Sequence, residues 1–233
     1  MAYNAGRRWT ARGPIATPDR QIWGIIMEKV LMLNGSPRAN GNIALAFHEM
    51  AQVFDELGVA HESILLGRQV VRGCVACERC RTIGKCAFDD IVNDLADRFE
   101  SADGLVIGSP VYYGSANGTL MSALQRLFYS TSFDKRLKVG ASVVSARRSG
   151  CTATFDALNK FFTLSNMPVA TSNYWNNLYG WEPGEGRVDE EGRQVMRVLA
   201  RNMVFLMRSI ALGKGAMGLP KPEEPRVWTN FTR

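Results

Sequence analysis

Lys29-Val-Leu-Met-Leu-Asn34 runs straight into Gly35-Ser-Pro-Arg-Ala-Asn-Gly-Asn42. The first segment is a short apolar run of the kind that a parallel strand needs when both of its faces are buried. Small and polar residues then turn the chain. Beyond them Ile43, Ala46, Phe47, Met50, Val53, Phe54 and Leu57 recur at helical spacing over 42–57, until Gly58 stops the helix. This strand, turn and helix form the unit from which the rest of the chain is read.

The unit repeats. Strands are predicted over 61–66, 104–108, 138–145 and 168–172, and helices over 89–102, 119–129, 152–164 and 189–212. Asp89 and Asp90 open the first of those helices, where the dipole favours negative charge. Strands alternating with helices predict an α/β fold: a doubly wound, five-stranded parallel sheet with helices on both faces.

A chain of 233 residues with 46% hydrophobic content can bury one substantial core, placed here at 28–213. Residues 1–27 are expected to be a basic, mobile leader, with Met27 a possible natural start, and 214–233 a packing tail. The net charge of +6 does not imply nucleic acid: Arg7, Arg8, Arg12 and Arg20, opposed only by Asp19, put about half of it in the leader. No aromatic-interleaved basic stripe accompanies the excess. No apolar stretch is long enough to span a bilayer and no secretory signal opens the chain, so neither membrane nor export is expected. Clustered thiols without an export signal point to a reducing cytoplasm.

Those thiols form Cys74-Val-Ala-Cys77-Glu-Arg-Cys80-Arg-Thr-Ile-Gly-Lys-Cys86, a C-x2-C-x2-C-x5-C run inside a loop at 73–86. Two-residue gaps let three sulfurs converge from one turn, and a flexible Gly84-Lys85 step brings the fourth from the other side. Ferredoxin-type runs hold a 4Fe-4S cluster in this compact way. Arg79, Arg81 and Lys85 lie between the ligands, where positive charge favours thiolates. Zinc is the second reading, although zinc knuckles usually pair two separated C-x2-C steps. Disulfides, which would close small strained loops, rank third. A loop of reduced, metal-free thiols also stays open.

Three loops at predicted strand ends are equipped for a ligand. Asn34 to Asn42 is an anion cradle: backbone amides and a helix N-terminus for a phosphate, side-chain hydrogen bonds from Ser36, Asn40 and Asn42, and charge from Arg38. It matches neither a Walker loop nor a G-x-G-x-x-G fingerprint. An ordinary polar turn with an Asn cap is the plain alternative. Ser109-Pro-Val-Tyr-Tyr-Gly114 offers a rigid proline and two tyrosines to a flat heterocycle, though such tyrosines often serve interfaces. Ala146-Arg-Arg-Ser-Gly150 offers guanidinium and backbone donors, or simply solvated arginines.

Taken together, Gly35-Ser-Pro-Arg38 with Gly41-Asn42, the Cys74 to Cys86 run, Gly108-Ser-Pro-Val-Tyr-Tyr-Gly114 and Arg147-Arg148-Ser-Gly150 resemble the NADPH-dependent FMN reductase superfamily. The cysteine run resembles its iron-sulfur flavoprotein branch. The resemblance spans roughly Glu28 to Leu212 and includes Asn166-Met-Pro168 and Tyr174-Trp-Asn176. It implies a flavodoxin-like fold, FMN as cofactor, and homodimers or homotetramers in which one subunit's loops help cover another's flavin.

By position, the resemblance puts Ser36, Arg38, Asn40 and Asn42 on the FMN phosphate, and Pro110, Val111, Tyr112, Tyr113 and Gly114 along the isoalloxazine. Arg147, Arg148 and Gly150 meet the remaining flavin edge, and Cys74, Cys77, Cys80 and Cys86 ligate the cluster. Two departures bear on subunit contacts and the flavin's outer rim. Met121-Ser-Ala-Leu-Gln-Arg126 lacks the Lys and Asp of the usual Lys-Ala-Phe-hydrophobic-Asp-Arg pattern, and Cys151 replaces a small residue. The two histidines, His48 and His61, read as structural, so no catalytic side chain is expected and the chemistry belongs to FMN N5. The implied function is an NAD(P)H-linked, FMN-dependent oxidoreductase passing electrons between FMN, a 4Fe-4S cluster and a small-molecule or protein acceptor. The alternative is an electron carrier reduced by a ferredoxin-like protein.

Overall fold

The computed structural model describes residues 28–220 together with 224, 225, 227 and 229, so the leader expected over 1–27 lies outside the described residues. Its sheet carries β1 (Lys29–Asn34), β2 (Ala60–Leu65), β3 (Gly104–Tyr112), β5 (Val139–Ala146) and β6 (Asn177–Tyr179) in the order β2-β1-β3-β5-β6, with β4 (Ser115–Ala116) added to β3. The five-strand path is parallel throughout, and β4 alone pairs antiparallel.

Side chains alternate across the central strands, and both faces are buried. Val30, Met32, Val106, Ala141 and Val143 point to one side, where α1 (Asn42–Leu57) and α6 (Glu190–Met217) pack through Phe47, Met50, Phe54, Leu199 and Met203. Leu31, Leu33, Leu105, Ile107 and Val144 point to the other, under α3 (Ile91–Glu100), α4 (Gly118–Ser130) and α5 (Cys151–Leu164). Removing one of these aromatics, such as Phe54, would cost about 3–5 kcal/mol by transfer and cavity terms.

Buried ion pairs lock α6 onto the first layer. Glu49 of α1 accepts from Arg193 at 2.7 Å and from Arg197, and Arg208 reaches Glu28 at 2.9 Å. Burial pushes the Glu49 carboxyl up, but the two guanidiniums outweigh it and hold the group below its ordinary value. α6 extends to Met217, past the helix end expected at 212.

The fifth strand differs from expectation. Residues 168–172 make only one isolated bridge, Val169 beside Gly140, and the edge strand is β6. Asn176 explains the gap, because its side-chain amide donates to the Ser142 carbonyl at 3.0 Å while its own carbonyl accepts from Val144 at 3.0 Å. A side chain thus completes the ladder where backbone pairing was expected. β3 also runs further than predicted. It reaches Tyr112 and folds back through Tyr113 (φ 50°) and Gly114 (φ 73°), a two-residue turn with both residues left-handed, as a type I′ hairpin requires.

Candidate functional site

The strand order reverses between β1 and β3, and an open sheet of this kind receives its ligand beyond the carboxyl ends of the strands at that switch. A cleft of about 480 Å³ opens there. Its floor is set by the strand ends. The Gly35 amide donates to the Gly108 carbonyl at 2.8 Å, and a Cβ on Gly35 would come within 2.6 Å of Leu120 Cδ2, so only glycine allows this approach.

The cradle is ordered by its own side chains. Ser36 N–H donates to Asn34 Oδ1 at 2.9 Å, Arg38 N–H to Ser36 Oγ at 3.1 Å, and Gly41 N–H to the Arg38 carbonyl at 3.0 Å. α1 then begins at Asn42, and no side chain caps it. Its first amides lack intrahelical acceptors, which makes this end an anion site. Arg38, Arg147 and Arg148 line the cleft and no Asp or Glu does. The set fits a phosphate monoester.

Ser36, Arg38, Asn42, Pro110, Val111, Tyr112, Tyr113, Gly114, Arg147 and Arg148 all line this one cleft. Asn40 is exposed outside it. Gly150 sits behind the wall, where its φ of 90° turns the chain into α5 and a Cβ would come within 2.8 Å of Val111 Cγ1. Asn42 spends its amide on a neighbouring loop, donating to Glu182 O at 3.3 Å and accepting from Gly186 N–H at 3.1 Å. Arg38 does likewise, with Nη1 donating to Trp181 O at 2.9 Å.

That loop, 180–186, was absent from the sequence-derived site. Gly180 and Trp181 join the lining, with Ser145, Ala146 and Ser149 at the end of β5 and Gly41 and Ile43 at the start of α1. The Arg147 guanidinium lies 5.7 Å from the Trp181 ring. A tryptophan directly after Gly180, ending an aromatic-rich stretch, was the available signal.

Cys151 stands apart as the first residue of α5. Burial pushes its thiol up, against a hydrogen bond with Tyr179 that works the other way, so it is a poor nucleophile. The other four cysteines line one small cavity of about 20 Å³, with Phe88, Arg126 and Tyr129 among its walls. All five thiols are free. Ala76 (φ 52°) and Glu78 (φ 55°) are left-handed, which coils the segment tightly, and α2 (Cys80–Ile83) adds a single helical turn. Among the described residues no group of three His, Cys, Asp or Glu is gathered for a single metal ion.

Arg126, missed as a site residue, is only 1% exposed. Burial opposes its charge, but the hydrogen bonds it donates to Asp90 and Cys86 outweigh this and raise the guanidinium above its ordinary value. A buried cation donating to one of four cysteines around a common cavity fits an anionic thiolate-bound group.

The NADPH-dependent FMN reductase family model matches residues 28–182. The chain belongs to this family. An iron-sulfur flavoprotein of Methanocaldococcus jannaschii is 30% identical over 190 residues, covering 78% of this chain and 98% of the relative. An iron-sulfur flavoprotein of Methanosarcina thermophila is 26% identical over 186 residues, covering 78% and 96%. Among solved structures, RosB with bound 8-demethyl-8-formylriboflavin-5'-phosphate superposes with a TM-score of 0.64 at 15% identity, covering 88% of this chain and 92% of that one. An NADH:FMN oxidoreductase in apo form gives 0.54 at 14% identity, covering 78% and 89%. These structures support the flavodoxin-like fold, and the family makes this member an FMN-dependent oxidoreductase. No helix among the described residues is long and apolar enough to cross a membrane.

Proposed function

We propose that this flavin oxidoreductase couples FMN in the strand-end cleft to a 4Fe-4S cluster on Cys74, Cys77, Cys80 and Cys86, taking electrons from NAD(P)H and delivering them to a small-molecule or protein acceptor. One observation carries the reading. The four cysteines line a single cavity whose wall includes α4, and α4 begins a few residues after the tyrosine hairpin of the strand-end cleft. When bound, FMN accepts hydride at N5 and releases electrons singly, and the cluster relays one at a time.

The chain's residues bind and orient. The Ser36 turn, the uncapped amides of α1 and Arg38 hold the phosphate, with Asn40 in reach from the exposed side of the turn and Asn42 bracing the 180–186 loop. Pro110, Val111, Tyr112, Tyr113 and Gly114 flank the ring, and Arg147 and Arg148, set by the turn at Gly150, face its polar edge. Tyr113, Tyr174 and Trp175 leave exposed aromatic surface, which suits a second copy of the chain covering the flavin in a homodimer or homotetramer. Thiols that must stay reduced suit a cytoplasmic setting.

A second reading has one observation in its favour. Cys74 and Cys77 are exposed, so a cluster there would be open to a ferredoxin-like protein, and the chain would serve as a carrier with little NAD(P)H turnover. Stopped-flow bleaching of the flavin decides. Rapid bleaching by NADPH or NADH is the expected result, whereas bleaching only by reduced ferredoxin or dithionite would replace the reductase with the carrier.

A further inference from the structure

A guanidinium removed from water must find a partner for each donor or destabilise the fold. Arg126 spends all five. Nε donates to Cys86 Sγ at 3.2 Å, Nη1 to Asp90 Oδ2 at 2.6 Å and Arg72 O at 3.3 Å, and Nη2 to Asp90 Oδ1 at 2.9 Å and Phe88 O at 3.2 Å. Four acceptors are oxygens; the fifth is a cysteine sulfur. Asp90 takes one donor from each Nη in an end-on fork, which leaves Nε to meet Cys86.

Cys86 is also the best anchored of the four thiols. Asn93 clasps its backbone on both sides, accepting from its N–H at 3.0 Å and donating to its carbonyl at 3.2 Å. One turn further along α4, the Tyr129 hydroxyl accepts from Arg81 at 3.2 Å and lies 3.5 Å from Glu78 Oε1. Arg126 therefore grips the Cys86 end of the loop from inside, and Tyr129 grips the Cys77 to Cys80 turn from outside.

Resting on the cluster reading above, we propose that Arg126 is a positioning residue for the cluster. Its Nε–H···Sγ bond fixes Cys86 as the preset ligand and raises the cluster's reduction potential. A hydrogen bond to a ligating sulfur is worth more once an electron has added negative charge, so it favours the reduced form. Asp90 sets the strength of the effect, because its carboxylate partly neutralises the same guanidinium.

The test is an EPR-monitored redox titration of anaerobically purified, FMN-bound protein, with iron and sulfide assayed on each sample. Arg126→Gln is expected to shift the cluster's one-electron equilibrium about tenfold towards the oxidised form, about 59 mV downward, with the FMN midpoint unmoved. Asp90→Asn keeps the side-chain cap of α3 and leaves the cation uncompensated, so it is expected to shift the cluster upward. A merely structural role would not produce opposite shifts. If Arg126→Gln fails to fold, Asp90→Asn decides alone: an upward shift supports the proposal, and an unmoved or lowered potential overturns it. Wild-type protein with FMN but neither iron nor sulfide would overturn the cluster reading itself; iron-loaded variants with wild-type potentials would overturn only the role of Arg126.

Discussion

In the strand-end cleft proposed for FMN, walls are the ends of strands whose other residues lie in the core. Its turns are held by backbone bonds such as Gly35 to Gly108, and its charge comes from three arginines on two loops. In the cysteine loop there is one helical turn, left-handed residues at Ala76 and Glu78, and two exposed thiols. The cleft is shaped by the fold before any ligand arrives. The cysteine loop is held by side-chain contacts from Arg126, Tyr129 and Asn93, and on the proposed reading a cluster would add the rest of its order. The two regions should therefore fail independently, except where they touch.

The largest expected effect comes from removing sulfurs. Cys77→Ser with Cys80→Ser should lower iron and sulfide at least about tenfold while FMN content stays within error, since cluster ligation is cooperative and the cleft uses neither residue. Loss of FMN in parallel, measured by absorbance after acid release, would break the contrast.

The regions meet at Gly67, which follows β2 and leads into the cysteine loop. A Cβ there would lie 2.2 Å from Ser36 C and 2.4 Å from Ser36 O, while Arg68 Nε donates to the Pro37 carbonyl at 2.6 Å. Gly67→Ala should cost about 2–3 kcal/mol by overpacking and lower Tm by roughly 5–10 °C, and it should weaken FMN binding because the cradle's backbone must yield. Unchanged FMN affinity by fluorescence titration would show that cleft and loop are uncoupled even at this contact.

The smallest effect lies far from both regions. Glu49 has a depressed folded-state pKa, so its contribution is fully present above the unfolded carboxylate value of about 4.3 and is lost as pH falls through the folded value. Glu49→Gln should lower Tm at pH 7, with a gap from wild type that narrows steadily below about pH 4.5. A constant gap by differential scanning fluorimetry would contradict the Arg193 and Arg197 pairing.

What could be read from residues alone followed the same division. Lys29 to Asn42 was legible because an apolar run, a small-residue turn and a helical stripe are local signals. The cysteine spacing was legible for the same reason. The edge strand was not, since Asn176 completes the ladder with a side chain and pairing is decided by tertiary geometry. Trp181 and Gly180 entered the site through Arg38 and Asn42, partners some 140 residues away in the chain. Arg126 left a trace that went unused: it lies on the buried stripe of α4 with Ala123, Leu127 and Ser130, and a charge there demands a buried partner.

The account rests on a cleft that takes FMN beside thiols that take a cluster, and anaerobic purification followed by quantitation of flavin, iron, sulfide and zinc tests it most directly. About one FMN, four iron and four sulfide per chain, with no stoichiometric zinc, is the predicted result. Protein that is flavin-free and refuses micromolar FMN, or that carries stoichiometric zinc in place of iron and sulfide, would contradict it.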